Sequence, residues 1–120
     1  MKTGLGDVDD ECLQVVLDII SDGVWDWHAN TGYVYRSPGW FRMLGYTAAN
    51  TPATVAFWEQ CLHPEDSGRV LEHFDNYIHN HASTYQIEYR LRKSDNNYVW
   101  IEDRARIIEW NEDGSVSRMI

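Results

Sequence analysis

From Ser83 to Arg92 the chain alternates with a period of two: Tyr85, Ile87, Tyr89 and Leu91 fall on one side, and Thr84, Gln86, Glu88, Arg90 and Arg92 on the other. Successive side chains of a strand point to opposite faces, so this pattern specifies a strand with one buried face and one wet face. The second half of the chain is thereby committed to a sheet that needs a cover on one side. Lys93-Ser94-Asp95-Asn96-Asn97 turns the chain, and Tyr98 to Trp110 predicts a long partner strand. Asn111-Glu112-Asp113-Gly114 then makes a tight Asp-Gly hairpin turn, and Val116 to Ile120 begins a third strand.

The cover comes from upstream. Val70, Leu71, Phe74, Tyr77 and Ile78 recur at helical spacing after the breaker His63-Pro64-Glu65-Asp66, with Asp66 or Ser67 placed to cap that helix. A short helix over Thr54 to Leu62 precedes it. Another follows Ser37-Pro38 through Gly39-Trp40-Phe41-Arg42-Met43-Leu44, with proline in the first turn and Gly45 at the end. Val24 to His28 and Tyr33 to Arg36 read as a hairpin around Ala29-Asn30-Thr31-Gly32. Ahead of it, Leu13, Val16, Leu17 and Ile20 form an apolar stripe that Cys12, Val15 and Ile19 thicken, behind the acidic run Asp7 to Glu11. The order is an N-terminal amphipathic helix, two strands, three helices and three strands. That is an α+β class, with a tail and helix over 1–22 and a single domain over 23–120.

At 120 residues and 43% hydrophobic content the chain suffices for one domain with a true core. Ten Lys and Arg against 19 Asp and Glu give −9, which repels phosphate backbones and anionic headgroups, so neither nucleic acid nor a membrane surface is an expected partner. Cys12 and Cys61 form no Cys-x-x-Cys or Cys/His spacing, so no disulfide framework or structural zinc is indicated. The polar, acidic start lacks the features of a signal peptide, and no apolar run reaches the ~18 residues of a membrane span. A cytoplasmic protein is expected.

The phrases Gly23-Val24-Trp25-Asp26-Trp27, Tyr33-Val34-Tyr35-Arg36-Ser37, Trp40-Phe41-Arg42-Met43-Leu44-Gly45-Tyr46, Leu62-His63-Pro64-Glu65-Asp66, Glu88-Tyr89-Arg90, Val99-Trp100-Ile101-Glu102-Asp103-Arg104 and Asp113-Gly114 stand in one order from Gly23 to the C-terminus. In that order they resemble the PAS and PAC sensory-box domains of bacterial signalling proteins, of the type with a Trp-rich first strand. The resemblance implies a five-stranded antiparallel sheet, short helices over one face, and a cavity between them that in some members holds haem, flavin or a small metabolite. It implies sensing and dimer-based signal relay rather than catalysis, with a histidine kinase or a cyclic-dinucleotide cyclase or phosphodiesterase as output domain. The family's Asp-Gly turn is here Asp95-Asn96-Asn97, which asparagine's tolerance of positive φ allows. The family's closing Gly and Asp-Ile-Thr triplet are missing, so the chain is expected to stop inside its last strand, with the output domain beyond Ile120.

The resemblance and the alternation together nominate a ligand pocket of Tyr85, Ile87, Tyr89 and Leu91 from the strand and Leu44, Trp58, Val70, Phe74 and Tyr77 from the helices. The competing reading is that these large side chains simply fill the core. Flavin photochemistry requires a Gly-Arg-Asn-Cys-Arg-Phe-type helix, whereas Cys61 sits in Trp58-Glu59-Gln60-Cys61-Leu62-His63, so no flavin is expected. Haem would need His73 as axial ligand, and His73 lies one residue off the haem-binding register, so no haem is expected either.

Of His73, His79 and His81, positions 73 and 79 are six apart and do not share a helical face, and no Cys or acidic pair completes a tetrahedral set, so no metal is expected. The pairs Glu65/Asp66, Glu102/Asp103 and Glu112/Asp113 have no nucleophile beside them and are read as solvated or capping, so the domain is not expected to be an enzyme. The polar face of the sheet also carries Tyr98, Trp100, Ile108 and Trp110. Exposed aromatics call for a cover, and Leu13, Val16, Leu17 and Ile20 of the N-terminal helix supply one, either from the same chain or across a homodimer that includes Trp100 and Trp110.

Overall fold

The computed structural model describes residues 11, 12, 15, 16, 22–80 and 84–120. Glu11, Cys12, Val15 and Val16 are helical and exposed, while Leu13, Leu17, Ile20 and His81 lie outside the described residues. β1 (Trp25–His28) and β2 (Tyr33–Arg36) form the opening hairpin. Then come α1 (Pro38–Leu44), a 3₁₀ turn (Ala48–Asn50), α2 (Val55–Cys61) and α3 (Pro64–Asn80). The strands β3 (Tyr85–Arg92), β4 (Tyr98–Ala105), β5 (Ile107–Trp110) and β6 (Val116–Met119) close the chain.

Local chemistry sets the helix ends. Ser37 caps α1 by accepting from the Trp40 N–H at 3.3 Å, Pro38 opens the first turn, and Gly45 ends it in the left-handed region at φ 82°. Thr54 caps α2 from its side chain, accepting from the Phe57 N–H at 3.2 Å. α3 starts at Pro64, three residues earlier than a cap at Asp66 would place its first turn. The His63 ring accepts from the Glu65 N–H at 3.0 Å, and the His63 carbonyl accepts from Asp66 and Ser67. Asp66 is therefore not the cap; it is buried and takes hydrogen bonds from the Arg90 backbone N–H and guanidinium, all at 2.9 Å, which ties α3 to β3. That clasp holds the Asp66 carboxyl well below the ordinary carboxylate range, the Arg90 side-chain bonds being the largest cause.

β2, β1, β6 and β5 pair in that order, all antiparallel, and β3 pairs with β4 from Tyr85↔Ala105 to Arg92↔Tyr98. The expected strand over 98–110 is one run with a break. Arg106 exchanges hydrogen bonds with Ile120 at 2.8 and 3.0 Å, and irregular register follows between Ile107 and Trp110. The run pairs with β3 before Arg106 and with β6 after it, so the expected five-stranded sheet is a four-stranded sheet in the order β2, β1, β6, β5 and a two-stranded ladder of β3 and β4, joined through the chain at Arg106. A bulge of this kind increases local twist and lets one strand serve two ladders. Asn96 takes φ 70° in the β3–β4 turn.

Two buried clusters fill the space between helices and sheet. Trp40, Leu44, Cys61, Leu62, Val70, Tyr89 and Leu91 make one; Tyr77, Tyr85, Val116 and Met119 make the other, with Ile87 packed against both. On the other side of the sheet Trp100 is 62% exposed, and Tyr98, Ile108 and Trp110 are also exposed. Among the described residues no helix is long and apolar enough to cross a membrane.

Candidate functional site

A cavity of about 40 Å³ lies where the N-terminal hairpin, the helices and the long strands meet. β1 contributes Trp25 and Trp27, two positions apart and so on the same face. β2 contributes Val34 and Arg36 by the same rule. Trp40 of α1, Val55 and Trp58 of α2 and Phe74 of α3 roof it, and Tyr85 and Asp103 close it from β3 and β4. The aromatic wall is continuous: Phe74 lies 5.6 Å from both Trp27 and Trp58, ring centre to ring centre.

Three polar groups stand in this apolar frame. Asp103 is 7% exposed and accepts from Trp25 Nε1 at 3.0 Å and from the Tyr89 hydroxyl at 2.7 Å; that hydroxyl in turn accepts from Trp58 Nε1 at 2.8 Å. Burial pushes the Asp103 carboxyl up, and its bonds to Tyr89 and Trp25 pull part of that shift back. Arg36 is 6% exposed and donates to the carbonyls of Pro52 and Thr54, each at 2.9 Å, with its guanidinium 4.8 Å from the Trp40 ring centre. Burial pulls its pKa below the usual arginine value. Tyr85 is 2% exposed, and its hydroxyl has no hydrogen-bond partner among the described residues. Burial, and then the Asp103 charge, push that hydroxyl far up, so it stays protonated.

Of the residues nominated from sequence, the structure brings Trp58, Phe74 and Tyr85 to the cavity wall. Leu44, Val70, Tyr89 and Leu91 sit in the first core cluster, Tyr77 in the second, and Ile87 between them. Tyr89 is one step behind the wall, holding Asp103 and Trp58. Trp25, Trp27, Arg36 and Asp103 were not nominated. Asp103 is neither solvated nor capping, contrary to the expectation from sequence: it is buried and shares the inward parity of Val99, Ile101 and Ala105 on β4, while Glu102 is exposed on the other face. A charged residue on an apolar parity is the signal that marks it. Glu65 is exposed and reaches Arg90 at 3.1 Å, and Asp113 is exposed and braces its own turn through Ser115.

A cavity of this size does not fit a haem or flavin ring, which needs a pocket of several hundred Å³. The His73 ring lies tilted against Tyr85, 5.0 Å between ring centres, with Nε2 buried and without a hydrogen-bond partner among the described residues. Cys61 packs in the core, 3.6 Å from the Tyr46 hydroxyl. Among the described residues no three His, Cys, Asp or Glu side chains converge to hold a metal ion.

Comparison with known proteins matches residues 33–120 to a family described as the PAS fold. The chain is similar to a sensory box histidine kinase/response regulator from Burkholderia thailandensis E264, with 32% identity and a TM-score of 0.71 over 89% of this chain and 78% of that one. It is similar in fold to the N-terminal domain of a diguanylate cyclase with PAS/PAC sensor from Marinobacter aquaeolei, at 24% identity and a TM-score of 0.69 over 79% of this chain and 85% of that one. A curated relative, the aryl hydrocarbon receptor nuclear translocator homolog of Drosophila melanogaster, is 29% identical over 63 residues, which are 52% of this chain and 10% of that protein.

Proposed function

Because the chain belongs to the PAS fold family, we propose that it is the sensory module of a bacterial signalling protein, taking a small molecule into the cavity beneath α2 and α3. The observation that carries this reading is the buried Tyr85 hydroxyl, unpartnered among the described residues, on the wall of an aromatic cavity. A buried polar group without a partner costs free energy that a ligand can return. The module is not itself catalytic. Its output is a histidine kinase or a cyclic-dinucleotide cyclase or phosphodiesterase in the same parent chain, and it works in the cytoplasm, where its cysteines stay reduced.

The signal travels through β4. Asp103 faces the cavity, while Trp100 stands on the opposite, exposed face of the same strand. A ligand that prefers one packing of Asp103 shifts the population of strand positions, and the shift is read on the outer face. There Trp100 and Trp110 meet the helix bearing Leu13, Val16, Leu17 and Ile20 in a homodimer. The exposure of Tyr98, Trp100, Ile108 and Trp110 also favours a second reading, in which this face docks a protein partner and the cavity stays empty. A thermal-shift screen of the chain against small metabolites separates the two. Stabilisation by a metabolite in the wild type, lost in a folded Phe74→Ala variant, supports the sensor; no stabilisation by any compound overturns it.

A further inference from the structure

Three carboxylates are buried among the described residues, Asp26, Asp66 and Asp103. Two of them have a guanidinium: Arg118 reaches Asp26 at 2.7 Å, and Arg90 reaches Asp66 at 2.9 Å. Asp103 has none; both its bonds come from neutral donors, Trp25 and Tyr89. Arg36 is the converse case. It is the one buried arginine among the described residues, and the groups that take its two side-chain hydrogen bonds are carbonyls, not carboxylates. The two uncompensated charges line the same cavity, and Trp25 adjoins both, opposite Arg36 in the β1–β2 ladder and bonded to Asp103 through its indole.

Resting on the sensory reading above, we propose that the molecule this cavity takes is a small ammonium–carboxylate zwitterion of the amino-acid class, with its carboxylate at Arg36 and its ammonium at Asp103. Leaving a buried charge unpaired is costly, and a ligand with a single charge would satisfy one end of the cavity and leave the other alone. Arg36 has N–H donors to spare, since two of five are taken by Pro52 and Thr54. Asp103 has accepted two hydrogen bonds and retains roughly two further acceptor positions. The walls beside it, Trp25, Trp27 and Trp58, present aromatic rings, which attract an ammonium group. The Tyr85 hydroxyl is a third handle. The volume of about 40 Å³ sets the scale at the smallest members of the class, since it equals roughly three water-sized spheres.

Four molecules of nearly one shape test this charge by charge: glycine, propionate without the ammonium, glycinamide without the carboxylate, and propionamide without either. Each is titrated into the ¹⁵N-labelled chain while the indole N–H signals of Trp25 and Trp58 are followed. Glycine is expected to move both signals, with propionate and glycinamide binding at least about tenfold more weakly and propionamide weakest. Asp103→Asn should erase the advantage of glycine over propionate and keep its advantage over glycinamide, while the spread of the remaining indole signals reports an intact fold. If Asp103→Asn does not fold, the four-compound series on the wild type still decides the matter. Propionate or propionamide binding as tightly as glycine would overturn the zwitterion assignment and leave the sensory reading standing. No movement of either signal by glycine at about 20 mM, a concentration well above a millimolar Kd, would also overturn it, and the metabolite screen would then judge the sensory reading separately.

Discussion

Tyr89→Phe removes one oxygen atom and keeps the ring, so it isolates the polar link behind the cavity wall. The lost hydroxyl donates to Asp103 at 2.7 Å and accepts from Trp58 Nε1 at 2.8 Å, with Tyr89 itself 1% exposed. The bond to the carboxylate is charge-assisted and is worth about 1.5–3 kcal/mol, and the indole bond adds about 1 kcal/mol. The ring volume is unchanged, so no cavity term is added. The expected loss is about 3 kcal/mol, which for a domain of this size lowers Tm by roughly 10–15 °C. Scanning calorimetry of the two chains at pH 7 measures it. A loss below about 1 kcal/mol would refute the claim that Trp58, Tyr89 and Asp103 act as a connected buried network.

Further consequences can be checked alongside. Burial raises the Asp103 pKa above its ordinary value of 3.8, so between those values the folded state holds more protons than the unfolded one, and stability falls as pH rises through that window. Asp103→Asn should therefore gain on the wild type as pH rises from 3.8 upward, seen in urea midpoints across the range. Asp66 has the opposite sign: its carboxyl is held well below 3.8, its contribution is full above 3.8 and is lost progressively as pH falls from there through the lower folded value, and Asp66→Asn should flatten the acid limb of the stability curve. Gly45→Ala places a Cβ at φ 82° and 2.5 Å from Ser94 Oγ, and should cost about 1–2 kcal/mol by chemical denaturation. Trp100→Ala, at a position 62% exposed, should move Tm by no more than about 2 °C while weakening self-association in sedimentation velocity.

The elements were legible because each carries a local signal: alternation for β3, helical spacing for α3, Ser37-Pro38 and Gly45 for the ends of α1. The break at Arg106 was not, because the residues on both sides favour a strand and only pairing with two different partners divides them. The cavity wall was legible only in part. Trp58, Phe74 and Tyr85 follow from apolar patterning, but Arg36 and Asp103 are charged, and charged residues are mostly exposed. Their parity with Val34 and with Ile101 points inward, yet parity alone does not say that a charge stays buried. That depends on long-range donors, such as the Trp25 indole 78 residues from Asp103. Tyr89 shows the converse: its inward position was plain, while its role as a link between Trp58 and Asp103 required the folded geometry.

The central claim is that the cavity receives a small molecule, and native mass spectrometry of the purified chain, set against its mass under denaturing conditions, tests it most directly. A mass excess lost on denaturation, with no visible absorption band in the same sample, is the predicted result. A bare mass that stays bare after incubation with a metabolite extract would contradict the account.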